Sequence, residues 1–315
     1  EDLCKILKLP KEFPMPNTSA ANGKAFEYAC LEALHQAILK RGGNSSIKEN
    51  KAYITAKKFY ESKDKNTQEE YQKDANLGID IILPREPTTY KYDHKSILYL
   101  QSDDRAKNDT DVRDLVVESQ GDSTTHTWGI SIKHNHDAAR HSRLSPRINF
   151  GEKWYRLPVS ERYWNEVNPV FSILKSQKGI KWEESNIDKE NDIYIPLLKA
   201  FRNEIIRAYE TQGKIILVRI LKYIIGEPEF YKFISKKGKT CVERYDLREG
   251  SIIHELLPNK ILKFDQKAGT KTTLIMEMDN SWTISFRIHN ASSKIQTSMK
   301  FDVTLLNKPD GLKVD

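Results

Sequence analysis

The stretch "DVRDLVVESQGDSTTHTWGISIKH", residues 111–134, indicates the centre of the fold. It contains two apolar runs, "DLVV" and "WGISI", and the turn-rich connection "QGDSTTH" of hairpin length between them. Two short apolar runs with such a connection predict two neighbouring antiparallel strands.

An acid and a lysine stand at one end of this strand pair. Asp114 comes directly before the first apolar run, and Lys133 follows the second. Because side chains alternate along a strand, Ser131 and Lys133 share one face while Ile130 and Ile132 share the other. The pattern predicts that Asp114 and Lys133 lie on the same side of adjacent strands. An isolated lysine at a strand end is also typical of an idle, solvated side chain.

These residue types suit the hydrolysis of a phosphodiester. That reaction needs a divalent cation held by carboxylates and a positive charge close to the attacking water. Asp114 is the candidate metal ligand, and Lys133 is the candidate positive charge. Glu27, in the helical segment "NGKAFEYA", lies beside the apolar stripe of its helix. An acid there can complete or orient a metal site on a neighbouring sheet, although most such glutamates are surface residues.

Composition limits the class of protein. The 315 residues, of which 38% are hydrophobic, are enough for one large domain or two ordinary ones and exclude wholesale disorder. A net charge of +7 permits a polyanionic partner without requiring one. The three widely spaced cysteines argue against a disulfide framework and a thiolate zinc site. We find no signal-peptide core and no long apolar run, and therefore expect a cytoplasmic protein without membrane contacts.

The remaining segments predict a mixture of helices and strands. We expect helices over "TSAANGKAFEYACLEALHQAILKRGG", over parts of 44–76, over about 136–144, and over "IPLLKAFRNEIIRAYETQG". Strands are expected in "GIDIILP", "TTYKYDHKSILYLQSDD", "KIILVRILKYII", "EFYKFIS", "TTLIMEMD", "WTISFRIHN" and "KFDVTLL". The chain is thus predicted to be α+β (mixed α/β), with a first portion over 1–213 and a β-rich portion over 214–315.

Basic and polar residues follow Lys133 closely. In a helix, His136, Arg140, Arg143 and Arg147 would fall on one stripe, because they are spaced four, three and four residues apart. Arg neutralises phosphates, and Arg, Asn and His reach base edges, so this stripe is a candidate DNA contact. The alternatives are a solvated basic helix and a histidine zinc site, for which a fourth ligand of the usual kind is not evident. The neighbouring residues His134 and Asn135 are assigned to the same candidate contact.

A helix with GxxxE, a strand with Asp and a strand ending in xxK follow one another in this order. The set resembles the core of the PD-(D/E)XK nucleases, which implies a sheet flanked by helices. The sequence departs from that pattern at Ser131, where a second acid is expected. Glu118 and Glu27 are the candidates to replace this acid, and Asp111 is the alternative to Asp114 as principal ligand.

Longer segments resemble one family more closely. "DVRDLVV", "WGISIKHNHDAARHSRLS" and "SFRIHNASSKIQTSMKFDVTLL" are similar to the HaeIII-type type II restriction endonucleases. The resemblance implies a prokaryotic restriction–modification enzyme that cuts double-stranded DNA at GGCC, with Mg²⁺ as cofactor and Mn²⁺ as substitute. It also implies a possible homodimer on DNA. On this hypothesis Asp114 binds the metal with Glu27 or Glu118 and the backbone carbonyl of Ile132, while Lys133 positions or activates the attacking water.

The segment "FRIHNASSK" is a second candidate DNA contact. Arg287 and His289 alternate along a predicted strand, and Asn290 and Lys294 follow in a polar loop. Arg contacts guanine bidentately, and such loops position phosphates. An edge strand with an ordinary surface turn is the plain alternative. For the whole chain, the alternatives are a non-catalytic DNA- or RNA-binding protein, and a repair or RNA nuclease on the same core.

Overall fold

The structure is a computed structural model that describes residues 18–102, 111–134, 140–236, 239–247, 251–290 and 292–314. The chain divides into two compact units. The first contains the described residues of Glu1–Asp103, Asp114–Asn135 and Phe233–Cys241, and the second those of Asp104–Arg113, His136–Lys232 and Val242–Asp315. None of the described helices combines the length and the hydropathy needed to cross a bilayer.

Helices and strands are mixed along the first half of the chain, and strands dominate its end. The helices are α1 (Thr18–Lys40), α2 (Lys51–Glu61), α3 (Lys65–Ile82), α4 (Phe150–Tyr155), α5 (Glu161–Ser176), α6 (Ile195–Gln212), α7 (Ile215–Ile225) and α8 (Ile252–Glu255). The strands are β1 (Asn44–Ile47), β2 (Lys95–Leu100), β3 (Leu115–Gln120), β4 (Thr125–His134), β5 (Arg140–Leu144), β6 (Phe230–Lys236), β7 (Lys239–Tyr245), β8 (Ile261–Gln266), β9 (Thr273–Met278), β10 (Thr283–His289) and β11 (Met299–Asn307).

Two sheets organise these strands. A mixed six-stranded sheet has the order β1-β2-β3-β4-β6-β7, with β1 parallel to β2. An antiparallel five-stranded sheet has the order β5-β11-β10-β9-β8. The predicted α+β class with a β-rich C-terminal portion is therefore confirmed.

The predicted central hairpin is present. Strands β3 and β4 pair antiparallel from Leu115↔Ile130 to Gln120↔Thr125. The pairing extends one residue beyond β3, because the Asp114 amide donates to the Ile130 carbonyl at 2.8 Å. This register sets Asp114 opposite Ser131 at the end of the pair.

Helix α1 packs closely within the first unit. The Phe26 ring lies 5.6 Å, between ring centroids, from both Tyr71 of α3 and Phe233 of β6. Gly78 allows this packing, because a Cβ at that position would lie 2.4 Å from the Phe233 ring. The close contact holds α1 and α3 together on one side of the core and brings Glu27 towards the interior.

The core of the second unit lies against one face of the five-stranded sheet. Ile284, Phe286 and Ile288 alternate along β10 and are buried. Phe201 of α6 packs edge-on to Phe301 of β11 at 4.8 Å between centroids. The residues between the buried ones on β10 and β11 are polar and belong to the opposite face, so the sheet is apolar on one side only.

Two strand predictions are wrong. "GIDIILP" continues helix α3 and ends in a 3-10 turn, because Gly78, Ile79 and Ile82 extend the buried stripe of Tyr71 and Ala75 at helical spacing. "KIILVRILKYII" forms helix α7. A continuous apolar run fits a buried strand or a buried helix equally well, and this run of 11 residues exceeds the usual strand length.

The prediction of a helix at about 136–144 is also wrong for the residues that the structure describes. Residues 140–144 form β5, an edge strand that pairs with β11 in the register Arg143↔Lys300. Residues 136–139 lie outside the described residues. Pairing with a strand more than 150 residues away outweighs the local helical spacing of the arginines, so these arginines do not form a helical stripe.

Candidate active site

Three consecutive residues of β4 contact the Asp114 carboxylate. It accepts a hydrogen bond from the Ile132 amide at 2.7 Å, and Ser131 Oγ and Lys133 Nζ lie 3.5 and 3.4 Å from the same oxygen, Oδ2. The predicted convergence of Asp114 and Lys133 is confirmed. Because the main chain of β4 supplies the shortest contact, the carboxylate orientation is fixed by the hairpin itself.

Lys133 forms a partly buried ion pair with this carboxylate. The Lys133 side chain is 29% exposed, whereas that of Asp114 is 10% exposed. The ammonium therefore stays accessible to solvent and to a substrate, while the carboxylate lies beneath it. In this setting the attraction is screened less than in an exposed pair, so the two groups stay close together.

Ser131 occupies the position where the PD-(D/E)XK pattern has an acid. The residue is almost fully buried, and its hydroxyl faces Asp114 Oδ2. A neutral hydroxyl adds no negative charge and can donate towards the carboxylate. Ser131 therefore helps to hold Asp114 but cannot replace a second carboxylate ligand.

The buried thiol of Cys30 on α1 is subject to the charges of three buried carboxylates. Burial raises the pKa of the Cys30 thiol, and the charges of Glu27, Asp74 and Asp114 raise it further. All three carboxylates are therefore close enough for their electric fields to act on one sulfur atom. The Lys24 ammonium also forms an ion pair with the Glu27 carboxylate at 3.0 Å. Glu27 and Asp114 thus act on the same buried thiol, and the assignment of Glu27 to a metal site stays a prediction.

Asp74 is a member of this group that sequence reasoning missed. It lies buried on α3 and accepts a hydrogen bond from the Ser235 hydroxyl of β6. The signal for it was present in the sequence, since Asp74 falls among the buried positions Tyr71, Ala75 and Gly78 of one helix face. An acid inside an apolar stripe is seldom without a structural or chemical role.

The donor set fits magnesium better than a softer metal. Among the described residues, no three His, Cys, Asp or Glu side chains form a cluster able to hold a metal ion by themselves. The candidate ligands, Asp114, Glu27 and the Ile132 carbonyl, are all oxygen donors. Mg²⁺ prefers oxygen, and one or two carboxylates with waters and substrate phosphates usually hold it, so an incomplete protein cage is compatible with it.

The other two candidate acids are engaged elsewhere. Glu118 lies on the Asp114 face of β3, about 13 Å along the strand, and accepts a hydrogen bond from the Tyr99 hydroxyl at 2.8 Å. Asp111 forms a bidentate pair with Arg113, with contacts of 2.9 and 2.7 Å. Neither contact is with Asp114, and Glu27 and Asp74 also have partners of their own, Lys24 and Ser235.

Several candidate DNA-contacting residues meet on the five-stranded sheet. Arg143 of β5 is the register partner of Lys300 on β11, and Lys300 is the partner of His289 on β10. In the next row Arg287, which is exposed, is the partner of Asp302. The sheet thus gathers residues from distant segments into a polar surface that the sequence did not reveal as one unit.

The Asn290 side chain forms hydrogen bonds within the protein that shape the loop. Its amide oxygen accepts from the Tyr194 hydroxyl at 3.1 Å, and its amide nitrogen donates to the Ser292 carbonyl at 2.6 Å. Lys294 is exposed, and its backbone forms an isolated bridge with Lys181. Asn290 therefore shapes the loop, while Lys294 is open to solvent.

The remaining candidates follow β4 or flank β5. His134 ends β4 and Arg140 begins β5, and their side chains lie outside the described part of the structure. Arg147 is exposed in the turn after β5. Asn135 and His136 lie outside the described residues.

The family described as HaeIII restriction endonuclease matches residues 23–309, which include both strands of the central hairpin and most of the five-stranded sheet. The type II restriction enzyme HaeIII of Haemophilus aegyptius is 35% identical over 311 residues, which cover 94% of this chain and 96% of that enzyme.

Proposed function

Because this chain belongs to the HaeIII restriction endonuclease family and is a type II restriction enzyme, we propose that it cleaves double-stranded DNA at GGCC in a Mg²⁺-dependent reaction. The observation that carries the proposal is the convergence of Lys133 and the Ile132 amide on Asp114 Oδ2. A pure DNA-binding protein has no need for a buried acid and a lysine at one strand end.

The proposed metal site uses oxygen donors of the first unit. Asp114, Glu27 and the Ile132 carbonyl would hold Mg²⁺. Glu118 is a weaker candidate because it lies about 13 Å along the strand from Asp114, and Asp111 because Arg113 donates to both of its carboxylate oxygens. When bound, the ion lowers the pKa of a coordinated water and neutralises charge on the phosphate. Mn²⁺, which accepts the same oxygen ligands, is proposed to substitute.

Lys133 is proposed to act on the attacking water and the reacting phosphate. Its ammonium can hold the water by a hydrogen bond and stabilise the negative charge that develops on the phosphoryl oxygens. Asp114 holds this ammonium at one position through the 3.4 Å contact. The Ile132 amide keeps Asp114 in place, and the Ser131 hydroxyl adds a weaker contact at 3.5 Å. The hairpin therefore orients both charged groups before DNA binds, which reduces the reorganisation needed during the reaction.

DNA recognition is proposed to involve the basic residues outside this centre. We assign it to Arg143, Arg287, His289 and Lys294, and to the chain segment that contains His134, Asn135, His136, Arg140 and Arg147. A GC-only site offers guanine O6 and N7 acceptors to arginines. The proposed division places the chemistry in residues 1–213 and much of the recognition in residues 214–315, whose sheet also includes β5.

A symmetric site and two strands to cut favour a homodimer on DNA. The proposed setting is the prokaryotic cytoplasm, where a restriction enzyme meets incoming DNA.

The direct test uses two plasmids that differ only in the presence of GGCC. With Mg²⁺ or Mn²⁺, we expect discrete fragments from the plasmid that contains the sites, and intact DNA from the other or with EDTA. Discrete cutting of the plasmid without GGCC would overturn the proposed site. A smear would indicate a non-specific nuclease, and a shift in mobility without breakage would indicate a binding protein.

A further inference from the structure

On the polar face of the five-stranded sheet, the part formed by β5, β10 and β11 has one acid next to several cations. We define this face by Arg143 of β5, Lys300 and Asp302 of β11, and Arg287 and His289 of β10. Buried residues alternate with them on β10 and β11, so the five share one side of the sheet. A surface that bound only phosphates would gain nothing from a carboxylate, because the DNA backbone repels it.

Asp302 lies directly across the strand pair from Arg287. The two residues are register partners on the antiparallel strands β11 and β10. Side chains of directly opposed residues start about 5 Å apart and point to the same side. Together they offer the donors of a guanidinium beside the acceptors of a carboxylate.

This combination is complementary to one base pair. In the major groove, a G·C pair presents the O6 and N7 acceptors of guanine next to the N4 donor of cytosine. Arg pairs bidentately with the guanine edge, and Asp accepts from the cytosine amino group. Strands β10 and β11 are interior strands of the sheet, so the side chains on their polar face, rather than the strands themselves, would reach the base edges.

His289 holds the carboxylate of Asp302. Its Nε2 lies 2.8 Å from Asp302 Oδ2, and its Nδ1 lies 3.1 Å from the Asn290 carbonyl. A carbonyl and an ionised carboxylate only accept hydrogen bonds, so His289 is the donor in these contacts. His289 therefore anchors Asp302 to the beginning of the loop, and both of its polar atoms are used within the protein.

We propose that Asp302 and Arg287 read a single G·C base pair, with Asp302 accepting from the cytosine amino group and His289 as a positioning residue. The assignment rests on the proposed cleavage at GGCC. It adds Asp302 as a specificity-determining residue and changes the role of His289 from a DNA contact to a support of one.

The test measures how strongly binding depends on the cytosine amino group. Short GGCC duplexes are prepared in which one of the two cytosines per strand is replaced by a 2-pyrimidinone nucleotide, which lacks that group. Binding is measured in EDTA, so that cleavage does not compete. For the wild-type enzyme we expect about a 10- to 100-fold loss of affinity at one of the two positions, as for a hydrogen bond to a charged group.

The variant Asp302→Ala should bind the ordinary duplex more weakly and should no longer distinguish it from the substituted one. Asp302→Asn keeps an acceptor oxygen and should retain part of the discrimination. The control Glu277→Ala removes an exposed acid of β9 from the same side of the sheet and should behave as the wild type. Circular dichroism checks that each variant is folded.

His289→Ala tests the positioning role. It should reduce the discrimination without abolishing it, because Arg287 and Asp302 are still present. Full wild-type discrimination in this variant would overturn that role.

Two failures are distinguishable. If the wild type fails to bind and cut GGCC, the proposed site is wrong, and the assignment of Asp302 falls with it. The other failure is that the wild type cuts GGCC but loss of the amino group lowers the affinity of Asp302→Ala as much as that of the wild type. In that case the proposed function stands and Asp302 does not read cytosine.

Discussion

Lys133 Nζ and Asp114 Oδ2 lie 3.4 Å apart across two adjacent antiparallel strands, and the amide of Ile132 donates to the same oxygen. The two charged groups are thus held by a short hairpin rather than by a distant contact. Changes to these two side chains are therefore expected to alter the chemistry before they alter the fold.

Replacing the two neighbouring aspartates separates their roles. Asp114→Asn should reduce cleavage by 100-fold or more and weaken Mn²⁺ binding, because it removes the proposed metal ligand. Asp111→Asn should retain cleavage within about a factor of ten, since Asp111 pairs with Arg113. Cleavage rates and calorimetric Mn²⁺ titration check both. A larger loss in Asp111→Asn than in Asp114→Asn would reverse the assignment.

Ser131 is expected to matter less than its place in the motif suggests. In Ser131→Ala the Ile132 amide still donates to Asp114 at 2.7 Å, so the carboxylate keeps its orientation. Cleavage should fall by less than about 10-fold, the effect of one weak neutral hydrogen bond. A loss as large as that of Asp114→Asn would show instead that the hydroxyl takes part in the chemistry.

Two glycines of the helices offer a matched test of packing. Gly78→Ala places a methyl group 2.4 Å from the buried Phe233 ring, whereas Gly23→Ala meets no atom within 4 Å. The first should lower the free energy of unfolding by about 1–3 kcal/mol. The second should raise it by up to about 1 kcal/mol through helix propensity. Urea unfolding of both variants checks the pair, and equal effects would contradict the described packing.

Glu204 should make stability depend on acid pH. Burial alone raises the pKa of Glu204, but hydrogen bonds from Arg207 and Ser160 outweigh it and hold the pKa below its usual value. A lowered folded-state pKa stabilises the protein above the unfolded pKa of about 4.3, and this stabilisation is lost as pH falls through the folded value. Glu204→Gln should remove about 2 kcal/mol at pH 7 and flatten the decline below pH 4.3.

The control for this change is Glu166→Gln, which breaks the Arg162–Glu166 pair of α5. Arg162 is highly exposed, so the expected effect on the free energy of unfolding is below about 0.5 kcal/mol. Unfolding curves of both variants between pH 3 and 7 provide the measurement. Parallel pH profiles for the wild type and Glu204→Gln would contradict the described contacts.

The sequence was sufficient for the hairpin and insufficient for the surfaces that depend on distant pairing. Residues 111–134 contain both strands and their turn, so their register follows from local pattern. Strand β5 pairs with β11, which lies far along the chain, whereas the spacing of the arginines in β5 is by itself typical of one face of a helix. Asp74 lies on the buried face of α3, but the sequence does not reveal its contact with Ser235, 161 residues away, because that contact exists only after folding.

Short apolar runs were the other source of error. The segments that form the end of α3 and the whole of α7 carry β-branched residues that fit strands and helices equally. In both segments, burial of the apolar side chains on one helical face favours the helix. That burial comes from packing within the folded chain.

Lys133→Ala tests the central claim most directly. We expect cleavage of a GGCC-containing duplex to fall by about 100- to 1000-fold, while the affinity for the same duplex in EDTA changes by less than about 10-fold. Lys95→Ala, which removes an exposed lysine at the start of β2, is the control and should cleave normally. If folded Lys133→Ala cleaves at the wild-type rate, the ammonium beside Asp114 has no part in the chemistry and the proposed active site is wrong.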